Sequence, residues 1–370
     1  MILEHAVPGP SRDDLVLGAG GAAVPVAAYV PERLRPEGIG VLVALHGAGS
    51  NGWTFLEQVR PLADACGVAI VCPTAPPQRD GERNLDLSGL FGRRFRGPRW
   101  TYGAGDAAWT AVRESAGALG IAPGRTALLG TSMGGIAVWN LALRHPDQLA
   151  AAFVVNAAPS MWELFGPDAT VDALLANLLA LPLTAVHGRQ DAQIPLRLAE
   201  DAVRRLRALG HPDVELVEVG AGEHAWDTMG LAPGSGQFDE LVARIVAAPA
   251  GSSWPRRVEH RAVADEHGRA HWVSLSGIEP GAPATVSAAV TGPRSLRVDV
   301  RAAARLRLHL STELVEPGPV DVVLNGRHHA TTFRPDAALL GSHAHGGPPP
   351  TSQVVDLELD LPPDRREDLP

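Results

Sequence analysis

The hydrophobic pattern of the chain changes character near residue 250. Before that point, short continuous apolar runs alternate with longer amphipathic runs. Continuous apolar runs predict buried strands, and amphipathic runs with a helical period predict helices. The predicted strands are 41–45, 68–72, 126–129, 151–155, 183–186 and 214–219, with two further short strands within 13–31. The predicted helices lie near 53–65, 106–119, 132–144, 171–179, 195–209 and 238–247.

This alternation predicts an α/β fold with a mostly parallel sheet and helices on both faces. In such a sheet, ligands bind at the carboxyl ends of the strands. Residues 250–255 are rich in Pro, Gly and Ser and predict a linker. The predicted organisation is therefore a first domain over 1–249 and a second over 256–370.

The second domain has a period of two. Polar and apolar positions alternate over 257–263, 270–276, 296–300, 306–310 and 354–359. Asn325-Gly326 follows the apolar run 320–324 and is a strong signal for a hairpin turn. About seven short strands with Gly and Pro turns predict a small β-sandwich. Residues 334–352, rich in Pro, Gly and His, are predicted to form a loop.

Composition excludes several classes of function. The 370-residue chain has 32 basic and 41 acidic residues, a net charge of −9, which argues against a nucleic-acid partner. Every basic residue is arginine, so Schiff-base, pyridoxal-phosphate and P-loop lysine chemistry are excluded. No apolar run is long enough to span a membrane. The N-terminus lacks a signal-peptide pattern, so a cytoplasmic location is expected, with secretion as the alternative if a leader was removed.

Three other features carry weaker predictions. Cys66 and Cys72 are interpreted as buried thiols rather than a disulfide. The Arg-rich stretch 79–99 is predicted to be a long loop, either shaping a pocket mouth or forming a solvated insertion. Two closely spaced histidine pairs of the second domain lack nearby Cys or an obvious carboxylate shell, so no metal site is predicted there. The pairs are His328 with His329 and His343 with His345.

One turn carries the strongest chemical signal. Gly130-Thr131-Ser132-Met133-Gly134 links a predicted strand to a predicted helix and fits the pattern G-x-S-x-G. This pattern places a serine hydroxyl on a tight, exposed turn. The glycines let the two backbones approach, and the helix N-terminus favours developing negative charge. A capping or buried serine in a Gly-rich turn is the alternative, and the rest of the chain decides between them.

A nucleophilic serine needs a base, and the base needs a carboxylate. Asp191 follows the predicted strand 183–186, and His224 follows 214–219 in a Gly-rich loop. Both would lie at carboxyl ends of strands, on the same edge as Ser132. Taken singly, Asp191 is typical of a turn residue and His224 of a solvated loop. The chain order serine, acid, histidine favours a catalytic triad.

The segment LHGAGSNG, which follows the strand 41–45, predicts an oxyanion hole. The expected donors are the N–H of Ala48, with Gly49 as alternate, and the N–H of Met133. His46 and His187 are interpreted as structural. Aromatic residues near these motifs predict a partly apolar acyl or aryl pocket, with ordinary loop packing as the alternative. They are Trp53, Trp100, Tyr102, Trp162 and Trp226.

The motifs LHGAGSNG, GTSMGG, HGRQD and GEHAW, within about residues 23–248, resemble those of α/β-hydrolase-fold serine esterases. The resemblance is to the poly(3-hydroxybutyrate) depolymerase, feruloyl esterase and dienelactone hydrolase-like branch. It implies Ser132 as nucleophile, His224 as base and then acid, and Asp191 as its orienting partner, with no cofactor. Dienelactone hydrolase itself uses cysteine, and secreted depolymerases have paired cysteines, which this chain lacks.

The expected activity is hydrolysis of a small-molecule or polymeric carboxylic ester. An acyltransferase or peptidase would use the same residues, and a non-catalytic binding protein on a hydrolase scaffold is an alternative of another class. The second domain has few aromatic residues for binding a polymer: Trp254, Trp272 and Phe333. Trp272 is also expected to be buried. A structural or homodimer-forming role, or a place at the edge of a lid near the active site, is therefore favoured for this domain.

Overall fold

The computed structural model describes residues 15–19, 22–76, 100, 107–251, 254–279, 281–335 and 353–355. The chain divides into two compact units. The first comprises Met1–Leu143, Leu149–Asp168 and Leu178–Gly251. The second comprises Ser252–Pro370 together with two short earlier segments, Arg144–Gln148 and Ala169–Asn177. The predicted domain bounds and the linker at 250–255 stay a prediction.

An eight-stranded sheet forms the centre of the first unit, in the order β1-β2-β4-β3-β5-β6-β7-β8. Strands β1, β2 and β4 pair antiparallel, and all other pairs are parallel. The strands are β1 Leu15–Ala19, β2 Ala22–Tyr29, β3 Val41–Leu45, β4 Ala69–Pro73, β5 Thr126–Thr131, β6 Ala151–Val155, β7 Leu183–Gly188 and β8 Val214–Val219. The helices are α1 Gly52–Cys66, α2 Ala107–Ala118, α3 Met133–Arg144, α4 Ala169–Leu174, α5 Arg197–Ala208 and α6 Gly236–Ala247, of which α4 belongs to the second unit.

The strand order places the helices on both faces of the sheet. The chain steps outward from β3 to β4 and then crosses back to β5. Because parallel crossovers are right-handed, this reversal puts α1 and α2 on opposite faces. Helices α1 and α6 contact each other, and both contribute to one buried cluster with strand residues such as Leu42 and Leu129. The predicted α/β fold with a mostly parallel sheet is confirmed.

The helix boundaries follow from local chemistry. Asn51 caps α1, since its side-chain oxygen accepts the N–H of Thr54 at 2.9 Å. The helix ends at Gly67, whose φ of +64° is in the left-handed region and whose N–H donates to the carbonyl of Ala63. These signals keep the loop before α1 and the start of β4 at fixed positions.

Three predicted elements differ from the structure. The helix predicted over 132–144 begins one residue later, because Ser132 has a φ of +53° and cannot be helical. The helix predicted over 171–179 is α-helical only over Ala169–Leu174 and continues as a 3₁₀ helix over Leu175–Ala180. The strand predicted over 270–276 is divided at His271, whose φ is +52°. Hydrophobic spacing does not report these backbone angles.

The second unit contains two β-sheets within the described ranges, ordered β10-β11-β14-β17 and β16-β15-β13-β12-β9. Their strands are β9 Arg257–Ala262, β10 Arg269–Ala270, β11 Val273–Ser276, β12 Ala284–Gly292, β13 Ser295–Arg301, β14 Arg305–Leu310, β15 Gly318–Leu324, β16 Arg327–Phe333 and β17 Gln353–Val355. Asn325 and Gly326, with φ of +47° and +78°, make the predicted hairpin turn. Trp272 and Phe333 are fully buried in the core.

Several smaller predictions have outcomes in the structure. Cys66 and Cys72 are buried free thiols, as expected. Burial raises the pKa of Cys66 to about 12 and also raises the pKa of Cys72. Among the described residues, no helix combines the length and the apolar content needed to cross a bilayer. The Arg-rich stretch 79–99, His343, His345 and most of 334–352 lie outside the described residues.

Candidate active site

Ser132 occupies the turn between β5 and α3. Strand β5 ends at Thr131, and α3 begins at Met133, so Ser132 alone makes the reversal with a φ of +53°. A non-glycine residue in the left-handed region is strained and is held there by its surroundings. The Ser132 N–H donates to the carbonyl of Val155 on the neighbouring strand β6, at 2.9 Å. The backbone of the turn is thereby fixed to the sheet.

The glycines around Ser132 allow this turn to pack. A Cβ atom added at Gly130 would overlap the backbone of Gly134, and one added at Gly134 would overlap the carbonyl of Leu45. A Cβ added at Gly135 would overlap the side chain of Ala157. Each of the three glycines in G-x-S-x-G-G therefore allows a close backbone contact that a side chain would prevent.

The structure brings the three predicted side chains together. Ser132 Oγ lies 2.7 Å from Nε2 of His224, and Nδ1 of His224 lies 2.7 Å from Oδ2 of Asp191. Asp191 follows β7 and His224 follows β8, as their positions in the sequence predict. The Asp191 side chain is fully buried, whereas the His224 side chain is 13% exposed. Solvent exposure along the hydrogen-bonded series thus decreases from the side of Ser132 and His224 to the buried carboxylate of Asp191.

The hydrogen bonds and contacts around the Asp191 carboxylate favour its ionised form. Its Oδ1 accepts the N–H groups of Gln193 and Ile194 at 2.8 and 2.9 Å. Burial alone would raise the pKa of Asp191, but the contacts from His187 and His224 and the Ile194 N–H outweigh burial. The pKa of this carboxyl is therefore well below its usual range. The anion favours the His224 tautomer with a proton on Nδ1, which leaves Nε2 able to accept the serine proton.

His187 supports the loop that carries Asp191. Its Nε2 atom lies 2.8 Å from the carbonyl oxygen of Ile194 and 3.5 Å from Oδ2 of Asp191. Its side chain is 1% exposed. The nearer contact fits an N–H donated to the Ile194 carbonyl. The ring therefore braces both ends of the turn 191–194.

The loop after β3 passes directly beside Ser132. A Cβ atom added at Gly47 would lie 3.4 Å from Cβ of Ser132. Ala48, the next residue, is in an exposed turn, and its N–H has no acceptor within the part of the chain that the structure describes. Met133 is the first residue of α3, next to the serine. Both backbone N–H groups thus belong to segments adjoining the hydroxyl.

His46 and Trp100 hold this loop in place. The buried ring of His46 donates from Nδ1 to the Gly47 carbonyl at 2.7 Å and accepts the Ala75 N–H on Nε2 at 2.9 Å. Burial lowers the pKa of His46, which keeps the ring neutral as this arrangement requires. Trp100 donates its indole N–H to the carbonyl of His46 at 3.1 Å. The sequence indicated no such role for Trp100.

The other predicted aromatic residues have different surroundings. Trp53 packs against the core cluster of the first unit. Trp226 lies in a 3₁₀ helix and contacts Phe55 edge to face, with ring centroids 5.4 Å apart. Trp162 is 64% exposed. Tyr102 lies outside the described residues.

Phe165 was not among the predicted site residues. This residue is 65% exposed and follows the 3₁₀ helix Trp162–Leu164 by one position. Side chains three apart on a 3₁₀ helix share one face, so Trp162 and Phe165 project from the same side. The turn is held by Ser160, whose Oγ accepts the Trp162 N–H at 3.2 Å, and by an ion pair between Glu163 and Arg205 at 2.6 Å. The three-residue spacing of the two aromatics was the available signal.

Comparisons with known proteins give one family match and several similar solved structures. Residues 111–232 match the model of the phospholipase/carboxylesterase family. No curated protein matches the chain. Similar solved structures include the esterase PE8, with 22% identity, 61% of this chain and 98% of that chain covered, and a TM-score of 0.42.

Two further solved structures are similar. An S-formylglutathione hydrolase from Agrobacterium tumefaciens has 18% identity, covers 64% of this chain and 94% of its own, and gives a TM-score of 0.46. A poly(3-hydroxybutyrate) depolymerase from Bordetella parapertussis, LpqC, has 23% identity, covers 66% of this chain and 96% of its own, and gives a TM-score of 0.46. Similarity at this level says nothing about the substrate.

The family match and the geometry concern the same residues. The matched segment 111–232 contains Ser132, Asp191 and His224 and extends from α2 past β8. The match indicates similarity to a family of ester hydrolases. Residues 111–232, within the mostly parallel α/β sheet of the first unit, thus match the phospholipase/carboxylesterase family, and additional β-sheets follow towards the C-terminal end.

Proposed function

We propose that the protein hydrolyses carboxylic esters through an acyl-enzyme formed on Ser132. One observation carries the proposal: two contacts of 2.7 Å connect the serine hydroxyl, through the His224 ring, to a buried carboxylate. This is the arrangement that a serine needs to become nucleophilic at neutral pH. A scaffold used only for binding would have no use for it.

In the acylation step, Ser132 Oγ attacks the carbonyl carbon of the ester while His224 Nε2 takes the hydroxyl proton. Asp191 stabilises the resulting imidazolium without taking a proton itself. The carbonyl oxygen becomes an oxyanion. When the tetrahedral intermediate collapses, the carbon–oxygen bond to the alcohol breaks, and His224 gives its proton to the leaving alcohol. The acyl group remains on Ser132.

Water completes the cycle. It attacks the acyl carbon while His224 takes one of its protons, and a second tetrahedral intermediate forms. Collapse releases the carboxylic acid and returns the proton from His224 to Ser132 Oγ. The sum is ester plus water giving acid plus alcohol, so the cycle uses no external cofactor.

The oxyanion in both steps is proposed to accept the N–H groups of Ala48 and Met133. Three observations support this role: the contact of Gly47 with Ser132, the exposed turn at Ala48, and the start of α3 at Met133. Donors fixed by a rigid backbone stabilise a developing charge without reorganising. The contacts of His46 and Trp100 supply that rigidity to the first donor.

The proposed substrate has an apolar acyl or aryl part, in a small molecule or a polymer. Trp162 and Phe165 support this, because they lie beyond the carboxyl end of β6, the strand next to that of Ser132. Exposed aromatic side chains bind apolar groups at a low cost in conformational entropy. Of the predicted aromatics that the structure describes, Trp162 is the most exposed.

The experiment that tests the proposal is hydrolysis of p-nitrophenyl esters of increasing acyl length. Wild-type protein should turn over, and Ser132→Ala should lose activity by roughly a thousandfold or more. Ser115→Ala is a matched control, since this buried serine on α2 has an Oγ without a partner among the described residues. The control should retain activity. Equal rates for wild type and Ser132→Ala would overturn the proposal.

A further inference from the structure

We infer that Asn156 is a positioning residue that joins the Asp191 loop to the His224 loop, a role that rests on the proposed function. Asn156 directly follows β6, between the strand of Ser132 and the strand of Asp191 in the sheet. It is 1% exposed and has a φ of +48°. A buried amide in the left-handed region is costly unless its surroundings require it.

Both polar atoms of the Asn156 side-chain amide form hydrogen bonds. Its Oδ1 accepts the N–H of Gly188 at 2.9 Å, and its Nδ2 donates to the carbonyl of Glu223 at 2.8 Å. Gly188 is the last residue of β7, three positions before Asp191, and Glu223 directly precedes His224. One side chain therefore connects the segment of the acid to the segment of the base.

The Asp191 and His224 segments also contact each other directly. Asn156 fixes the position of both segments relative to strands β6 and β7. Arg189 and Gln190 donate backbone N–H groups to the carbonyls of Val219 and Gly222, both at 2.9 Å. A Cβ atom added at Gly188 would overlap the backbone of Gly222. These contacts hold the loops to one another. The Asn156 amide and its own N–H, which donates to the Val186 carbonyl at 2.9 Å, hold the pair to β6 and β7.

This arrangement has a consequence for the reacting atoms. Ser132 is fixed to β6 through its N–H bond to Val155, the residue before Asn156. Adjacent residues at the end of one strand therefore position the nucleophile and the base–acid pair. The contact of 2.7 Å between Ser132 and His224 depends on both anchors. A displacement of about 1 Å between reacting groups can reduce a rate by about a hundredfold.

Two substitutions separate this role from a general contribution to folding. Asn156→Gly removes both side-chain bonds but accepts the positive φ without strain. Asn156→Asp keeps the acceptor for Gly188 and places a carboxylate oxygen against the Glu223 carbonyl. We expect kcat to fall by about a hundredfold for Asn156→Gly, with KM within about twofold of wild type.

The separation of kcat from KM gives a readout that a merely structural role would not move. Asn156→Asp loses the bond to the Glu223 carbonyl, so kcat should fall in this variant as well while KM stays within about twofold of wild type. A residue that only contributes to stability would lower the amount of folded enzyme and leave kcat per folded molecule unchanged.

Two asparagines of the second unit provide matched controls. Asn325 has a φ of +47° and bonds through its side chain to the N–H and carbonyl of Val300. Asn177 is buried and bonds in the same way to the N–H and carbonyl of Arg261. Asn325→Gly and Asn177→Asp repeat the two chemical changes within the second unit. Both should leave kcat and KM unchanged.

Hydrogen exchange on the full chain tests the inference without using activity. Asn156→Gly should raise amide exchange at least tenfold in peptides covering 188–194 and 220–225, and the two controls should not. Unchanged exchange in Asn156→Gly, or wild-type kcat in both Asn156 variants, would overturn the inference. If wild type neither hydrolyses esters nor reacts with a fluorophosphonate, the proposed function fails, and the exchange result still decides whether Asn156 joins the loops.

Discussion

At the scale of single residues, the site depends on backbone angles that only a few residue types tolerate. Ser132 has a φ of +53° in a turn that packs closely against β5, α3 and the loop after β3. Gly134 allows the start of α3 to contact the carbonyl of Leu45. The conformation of the serine turn is therefore produced by its glycine neighbours as much as by the serine itself.

Gly134→Ala should destabilise the protein by about 3 kcal/mol, since the added methyl overlaps fixed backbone and cannot be relieved by a side-chain rotation. The measurement is urea unfolding followed by circular dichroism. Gly117→Ala is the matched control, because Gly117 lies exposed on α2 with open space around its Cβ position. That control should gain about 0.5–1 kcal/mol. Equal effects of the two substitutions would show that the contact with Leu45 is not limiting.

Asp191→Asn should reduce kcat by roughly a thousandfold or more, with KM little changed. The amide cannot hold the Nδ1–H of His224 as the anion does, so the ring is no longer fixed in the tautomer that accepts the serine proton. Steady-state kinetics with a p-nitrophenyl ester measure this effect. His187→Gln, which changes the neighbouring ring rather than the carboxylate, should lose less than tenfold. A loss in the control as large as that in Asp191→Asn would contradict the assignment.

Residue types and their order along the chain were sufficient to predict that Ser132, Asp191 and His224 lie together, because each follows an apolar strand. The same signal was present for Asn156, a polar residue directly after the strand 151–155. It was missed because Asn has no ordinary role in ester hydrolysis and its two partners are distant in sequence. The contact of Trp100 with His46 also joins distant segments, so spacing alone could not indicate it.

At the scale of elements, the 3₁₀ helix Trp162–Leu164 is fixed from its inner side. Glu163 on this turn is largely buried and pairs with Arg205 of α5 at 2.6 Å. A buried carboxylate that loses its cation is strongly disfavoured. The ion pair therefore fixes the backbone segment that carries the exposed side chains of Trp162 and Phe165.

Arg205→Ala should destabilise the protein by about 2–3 kcal/mol and weaken the binding of long-chain esters, seen as a higher KM. Arg204→Ala is the control on the same helix, since Arg204 is 73% exposed and pairs with the exposed Asp201. An exposed pair of this kind contributes little. Thermal unfolding and KM across the acyl series separate the two variants. Identical behaviour of both would contradict the bracing role.

Helices and strands were predicted well where the backbone conformation stays regular along a hydrophobic pattern. They were predicted poorly where the backbone conformation changes within such a pattern. All six βα strands with continuous apolar runs are present, and the Asn325-Gly326 hairpin forms as expected. The helix predicted over 171–179 changes to a 3₁₀ helix after Leu174, and His271 interrupts a strand. In these places the apolar spacing continues while the backbone turns, so the pattern carries no signal of the break.

At the scale of the whole molecule, buried titratable groups predict loss of stability in acid. Burial, followed by the charge of Arg144, lowers the pKa of His267 from 6.5 to about 4. A histidine with a depressed pKa contributes stability that is complete above pH 6.5 and is lost as the pH falls towards 4. The depressed pKa of Asp191 acts in the same direction at lower pH, since the folded state favours its anion.

Urea unfolding at pH 7.5 and pH 4.5 measures this effect. Wild type should lose up to about 3 kcal/mol from His267 between the two conditions. His267→Gln should lose less, because glutamine does not bind a proton in this range. His328→Gln, at an exposed position beside Asp321, should behave as wild type. A His267→Gln variant as sensitive to acid as wild type would contradict the assignment.

The predicted cytoplasmic location and homodimer stay predictions.

Covalent labelling tests whether Ser132 is a nucleophile activated by His224 and Asp191. Wild type, Ser132→Ala and His224→Ala are incubated with a fluorophosphonate, and the adduct is located by peptide mass spectrometry. We expect one adduct on Ser132 in wild type, none in Ser132→Ala, and labelling at least a hundredfold slower in His224→Ala. Labelling at another serine, or an unchanged rate in His224→Ala, would contradict this role of Ser132.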